Sequence, residues 1–171
     1  MNLGATLIKS RRSVRSYTEK PVDDSIIRDA FECARVAPTA MNLQPWLFGA
    51  VKDKNLLQQI ADLTDHGKFI ADAAICFAVF GEKNAKYYLE DCSAATENII
   101  LCLQGYGVGS CWVAGDKKEY AETVRILLHV PDQYTLVSLI PAGYPKEIQM
   151  PKKKVLKEVS FLNEWKEEDS S

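Results

Sequence analysis

The sequence predicts an α+β domain, with helices flanking a central mixed or antiparallel sheet of four or five strands. Three observations carry this. Ala73 to Phe80, AAICFAVF, is a continuous apolar run rich in β-formers, as expected of a strand buried on both faces. TLVSLIPAGYP is another apolar strand. Segments with apolar residues at helical spacing are interleaved with these runs.

In chain order, residues 2–10 read as a short helix capped by Asn2. PVDDSIIRDAFECARVA is a second helix. Its acids and Ser25 stand at the start, where capping and the helix dipole favour them. Ile26, Ile27, Ala30, Phe31 and Ala34 recur at helical spacing, and Pro38 ends it. PTAMNLQPW reads as a loop, WLFGAV as a strand and KNLLQQIADL as a helix. The longest helix follows the central strand, over residues 84–104. Its end, IILCL, is apolar all round, which in a small domain leaves a face for a second subunit to cover. Gly105 and Gly107 terminate it. SCWVAG is a short strand, and KKEYAETVRILLHV a helix stopped by Pro131. KKKVLKEVSFL adds a basic stretch and a candidate edge strand. The expected organisation is one domain over 1–165 and a frayed charged tail over 166–171.

The totals narrow the function. At 171 residues, 47% hydrophobic and 26% charged, the chain has the profile of one soluble globular domain. A net charge of −2 argues against nucleic acid, whose binders carry a basic excess. No apolar run approaches the ~20 residues of a membrane span, and the N-terminus lacks the apolar stretch of a signal peptide. The 5 cysteines are widely and irregularly spaced, which fits neither a disulfide framework nor a CxxC site. A reducing, cytoplasmic setting is expected.

Against that acidic balance, SRRSVRSYTEKP stands out. On an extended segment Arg11, Ser13 and Arg15 face one way, and two guanidinium forks with a hydroxyl suit a phosphate. Lys152, Lys153 and Lys154 form a second cluster in which Lys152 and Lys154 share a side. Either run alone also suits a solvated face; two clusters in an acidic chain favour one shared anion. APTAMNLQPW offers Thr39, Asn42 and Gln44 between Pro38 and Pro45, a stiff loop able to read the polar edge of a heterocycle. It also suits an ordinary connection. The GxG of GYGVGSCWVAG follows a helix rather than opening one, so it is a poor phosphate cradle. Ala114 and Gly115, at a strand end, let backbone approach a flat ligand. His66 and His129 lie far apart, without metal-ligand spacing. Glu90, Asp91 and Glu97 fit capping, pairing or solvated roles. Cys111, between Ser110 and Trp112, reads as buried. With no side-chain nucleophile, base or metal site in view, the chemistry falls to a cofactor.

RRSVRSYTEKPV, APTAMNLQPWLF, ENIILCLQGYGVGSCWVAG and PAGYP, in that order, resemble the nitroreductase family of flavoproteins and span nearly the whole chain. The resemblance implies a nitroreductase-like fold and a homodimer with the helix 84–104 at its interface. It also implies one FMN per subunit, in a site built from both chains. Arg11, Ser13 and Arg15 match positions that hold the phosphate and ribityl side. Lys152 and Lys154 match a late basic pair on the same phosphate. Pro38, Thr39 and Asn42 match a loop that reaches the flavin from the partner. Ala114 and Gly115 match backbone positions near the flavin N5, and Lys68 a basic residue near the pyrimidine edge. The implied reaction takes hydride from NADH or NADPH and passes it to a nitroaromatic, quinone or flavin by a ping-pong route, with no catalytic side chain. A specialised dehalogenase or dehydrogenase, or a flavin-binding redox sensor with little turnover, remain alternatives. Two departures stand out. Leu63 to Ala74 is a short connection where larger members carry helical insertions that roof the pocket. The late pair is lysine only, without a bidentate fork.

Overall fold

The computed structural model describes residues 2–165. The predicted tail 166–171 lies outside the described residues. The strands are β1 (Trp46–Val51), β2 (Ile75–Glu82), β3 (Gly109–Ser110), β4 (Val113–Ala114) and β5 (Tyr134–Gly143). All pair antiparallel, in the order β1-β2-β5-β3, with β4 also on β5. The helices are α1 (Leu3–Ser10), α2 (Asp24–Arg35), α3 (Lys54–Leu63), α4 (Tyr88–Gly105) and α5 (Tyr120–Leu127).

The apolar run of β2 is explained by three layers. Ile75, Phe77 and Val79 face α2 and α4, in a core with Ala30, Ala34, Ile99 and Leu103. Cys76, Ala78 and Phe80 face α3 and α5, with Leu57, Ile60 and Val124. Alternate side chains thus bury on opposite faces, and neither phase can be polar. Helix starts follow local chemistry. The Asn2 side chain accepts the Ala5 N–H at 3.0 Å, Asp23 accepts from Ser25, and Asp53 accepts from Leu56.

Three expectations are corrected. The longest helix begins at Tyr88, not residue 84, because the chain before it is held in turns. Lys83 N–H donates to Gln133 O and Ala85 N–H to Glu82 O. The strand expected over SCWVAG is split at Cys111 and Trp112. Cys111 stands opposite Pro141, which has no N–H to return to the ladder. The closing segment KKKVLKEVSFL forms no strand. It is exposed, with one 3-10 turn at Leu156–Glu158.

Burial pushes the Cys76 and Cys92 thiols up from 9 to about 12, and raises the Tyr17 hydroxyl as well. In the unfolded chain these thiols ionise near 9, so above that pH the unfolded state sheds protons that the fold retains. The stabilisation is therefore complete below about pH 9 and declines as pH rises toward 12. Urea midpoints measured from pH 8 upward should be flat at first and then fall; Cys76→Ala should soften the fall.

Candidate functional site

The site grows from one strand edge. β3 and β4 share one register against β5, from Gly109 opposite Gly143 to Ala114 opposite Ser138. In an antiparallel ladder, alternate residues turn their backbone groups toward the partner strand. Odd positions do so here: Cys111 N–H donates to Pro141 O at 3.2 Å, and Gly115 N–H to Val137 O at 2.9 Å. Even positions face out. Ser110 O accepts the Val14 N–H at 2.9 Å, and Ala114 O accepts the Tyr120 hydroxyl. The Ala114 N–H therefore points off the sheet, while the Gly115 N–H is spent inside it.

The arginine segment docks on this edge. Ser13 bridges Ser110 in parallel, and Val14 is buried. A Cβ on Gly109 would lie 2.6 Å from Val14 Cγ2, so glycine is what admits the segment. Arg11, Ser13 and Arg15 converge around Cys111, which is 3% exposed. Burial raises its thiol, while Arg15, a hydrogen bond with Ser13, and Arg11 draw it back down. Arg11 Nε also lies 3.8 Å from Glu97. Arg12 turns away, donating to Lys9 O and to Met150 Sδ.

Beyond Val14 the edge opens into a groove of about 210 Å³, lined by Arg15, Phe69, Trp112, Ala114 and Tyr120 among others. The Arg15 guanidinium lies 5.9 Å from the Phe69 ring centre. A second groove of about 610 Å³ adjoins at Arg15, with Lys54, Lys146 and Asp72 on its walls. After β5 the chain runs back along the arginine segment. Thr18 N–H donates to Tyr144 O and Lys146 N–H to Ser16 O, and Met150 meets Arg12. The stretch carrying Lys152 and Lys154 starts from that point, and both lysines are exposed.

A family model described as "Nitroreductase family" matches residues 8–66, and one described as "Putative TM nitroreductase" matches residues 58–170. A protein of Archaeoglobus fulgidus named "Putative NADH dehydrogenase/NAD(P)H nitroreductase" is 34% identical over 147 residues, spanning 82% of this chain and 84% of its own. The chain belongs to the nitroreductase family. That membership puts it among the oxidoreductases and accounts for its α+β fold. A crystal structure of a protein from Bacteroides thetaiotaomicron, under the same name, superposes with a TM-score of 0.91 at 30% identity, covering 96% of this chain and 99% of that one. A "putative nitroreductase in complex with fmn" from Desulfovibrio desulfuricans gives 0.86 at 26% identity, covering 97% and 99%. An iodotyrosine deiodinase of Thermotoga neapolitana is 29% identical over 167 residues, 82% of this chain and 88% of its own.

Not every residue matched to the nitroreductase pattern stands at this groove. Lys68 donates to Ala61 O at 3.1 Å and Asp62 O at 2.9 Å, so its ammonium caps α3. The loop carrying Pro38, Thr39 and Asn42 lines neither groove. The Thr39 hydroxyl is turned inward, onto Asp91 at 2.7 Å. Phe69, Trp112 and Tyr120 also line the groove; Phe69 follows Lys68 directly and Trp112 stands two positions before Ala114, whereas Tyr120 has no such neighbour in the sequence. Gly115 contributes by shape. A Cβ there would lie 2.6 Å from Leu136 Cγ and 3.1 Å from the Val137 carbonyl carbon. Gly115→Ala should cost about 1–3 kcal/mol and shift Ala114; thermal unfolding and cofactor titration should both register it.

Proposed function

We propose that the chain is an FMN-dependent oxidoreductase that takes hydride from NAD(P)H and hands it to a flat acceptor such as a nitroaromatic, a quinone or a flavin. The observation that carries this reading is the outward Ala114 N–H on a sheet edge whose groove Arg15 and Phe69 share. The donor set fits a flavin. An isoalloxazine edge alternates hydrogen-bond donors and acceptors, and a bare strand edge with a guanidinium beside it answers that pattern. Arg11 and Ser13 lie on the same side of the segment as Arg15, where a phosphate would extend.

Bound FMN supplies the hydride chemistry, accepting two electrons and a proton from one partner and releasing them to the next. The chain's residues do the rest. Arg11, Ser13 and Arg15 would hold the phosphate and ribityl side, and Lys152 and Lys154 would close on it as point charges. The Ala114 N–H would donate to the bound ring system. Arg15, as a cation in the groove, favours negative charge on the reduced ring. Phe69 and Trp112 wall off water and leave a stacking surface. No side chain is needed as acid or base.

The active species in this reading is a homodimer. Leu101 and Cys102 of α4 are only half-buried and line an apolar groove with Leu7 and Tyr106. Val36 beside them is 65% exposed. The closing segment adds Phe161, Leu162 and Trp165, all exposed. In this reading a second subunit covers these surfaces and supplies its loop 38–44 to the groove.

Purified protein should be yellow, and NADH or NADPH should bleach it without oxygen. Failure to bind added FMN would overturn the reading. Binding without bleaching would favour the redox sensor. The deiodinase relative supports one alternative acceptor class, and iodotyrosine turnover exceeding that of nitroaromatics or quinones would favour it.

A further inference from the structure

The loop between Thr39 and Gln44 is held in a costly shape. Met41, Asn42 and Gln44 have φ of 53°, 56° and 52°, in the left-handed region that side chains avoid. Such strain persists only where the surroundings over-determine it. Here the determinant is Asp91, in the first turn of α4 and 6% exposed. Its Oδ2 accepts the Thr39 hydroxyl at 2.7 Å, and its two oxygens accept the Ala40 N–H at 3.1 and 3.2 Å. The Thr39 hydroxyl in turn accepts the Gln44 N–H at 3.0 Å, so one carboxylate ties both ends of the loop. The N-terminal turn of α4 favours that negative charge.

The loop displays rather than buries. Met41 is 77% exposed and Leu43 55%, with Asn42 and Gln44 exposed between and beside them. None of these residues lines either groove of its own chain. A segment strained, pinned from beneath and presenting apolar and amide tips is shaped for a surface outside its own subunit. We propose that Asp91 is a positioning residue for FMN binding in trans: it sets the loop that completes the partner's site. This rests on the two-chain FMN site proposed above.

FMN titration by fluorescence quenching tests it. Asp91→Ala should bind FMN about 10- to 100-fold more weakly, as expected when a charge-assisted network is lost. Thr39→Val should follow it, and Thr39→Ser should restore wild-type affinity. Circular dichroism and the unfolding midpoint establish that each variant is folded. The deciding experiment is a heterodimer of one Arg15→Ala subunit with one Asp91→Ala subunit, separated by two affinity tags. Action in trans places both defects in one site and leaves the other intact, so one FMN per dimer should bind with wild-type affinity. A purely structural effect of Asp91 on its own subunit would weaken both sites, and that result would overturn the proposal. Equal FMN affinity in wild type and Asp91→Ala would overturn it too. Wild-type protein that binds no FMN would instead overturn the proposed function.

Discussion

Replacing Arg15 with alanine should weaken FMN binding by about 1.5–3 kcal/mol, the range for a hydrogen bond to a charged group. Arg15 occupies the junction of the two grooves and has no anionic partner among the contacts of the described residues. Its guanidinium is therefore free to take a new one. Arg11→Ala should lose less, because Arg11 must first leave Glu97, 3.8 Å away on α4. Both residues act on the same thiol, Cys111, so they share an environment and their effects should not add. Fluorescence titration of the two single variants and the double variant measures the coupling. Repeating it at higher salt should narrow the gap from wild type, since exposed charges are screened. Wild-type affinity in both single variants would break the phosphate assignment.

Phe77→Ala should be the most damaging single change to the fold. Phe77 is fully buried in the face that meets α2 and α4. Its ring meets Phe31 edge-on, with centroids 5.6 Å apart at 83°, and Phe31 stacks in turn on Phe48. Truncation removes the ring and leaves a cavity between two helices and the sheet, at a cost of about 3–5 kcal/mol. For a chain of this size that is a fall in Tm of about 6–20 °C. Calorimetry on the wild type and Phe77→Leu, which refills much of the space, gives the reference. A loss near that of an exposed position would show that the aromatic cluster is not where the stability resides.

What could be read from the sequence follows from which forces are local. β2, α2 and α3 were legible because side-chain periodicity reports the face each residue must bury. The convergence of Arg11, Ser13 and Arg15 was legible because alternation on an extended segment is geometry, not context. The start of α4 was not, since the turn before it is fixed by Gln133, some fifty positions away. The hydrogen bonds from the Lys68 ammonium to the carbonyls of Ala61 and Asp62 were not legible either, because they depend on how the chain turns after α3. Asp91 was one of three acids on the same helix. Only its burial and the 52 positions separating it from Thr39 distinguish it, and neither is written in the local sequence. The closing segment carries β-formers, yet it pairs with no strand among the described residues.

The alternation along 109–115 makes this stretch intolerant of changes in length rather than of changes in residue. Odd positions close onto β5 and even positions hold the arginine segment and present the Ala114 N–H. A substitution at Trp112 leaves that parity untouched. One residue inserted or deleted between Ser110 and Ala114 would invert it, turning the donor inward and an odd position outward. Descendants of this chain should therefore drift in composition here while keeping the spacing from Ser110 to Ala114 fixed, and an engineer reshaping the groove has letters to change but no length to spare.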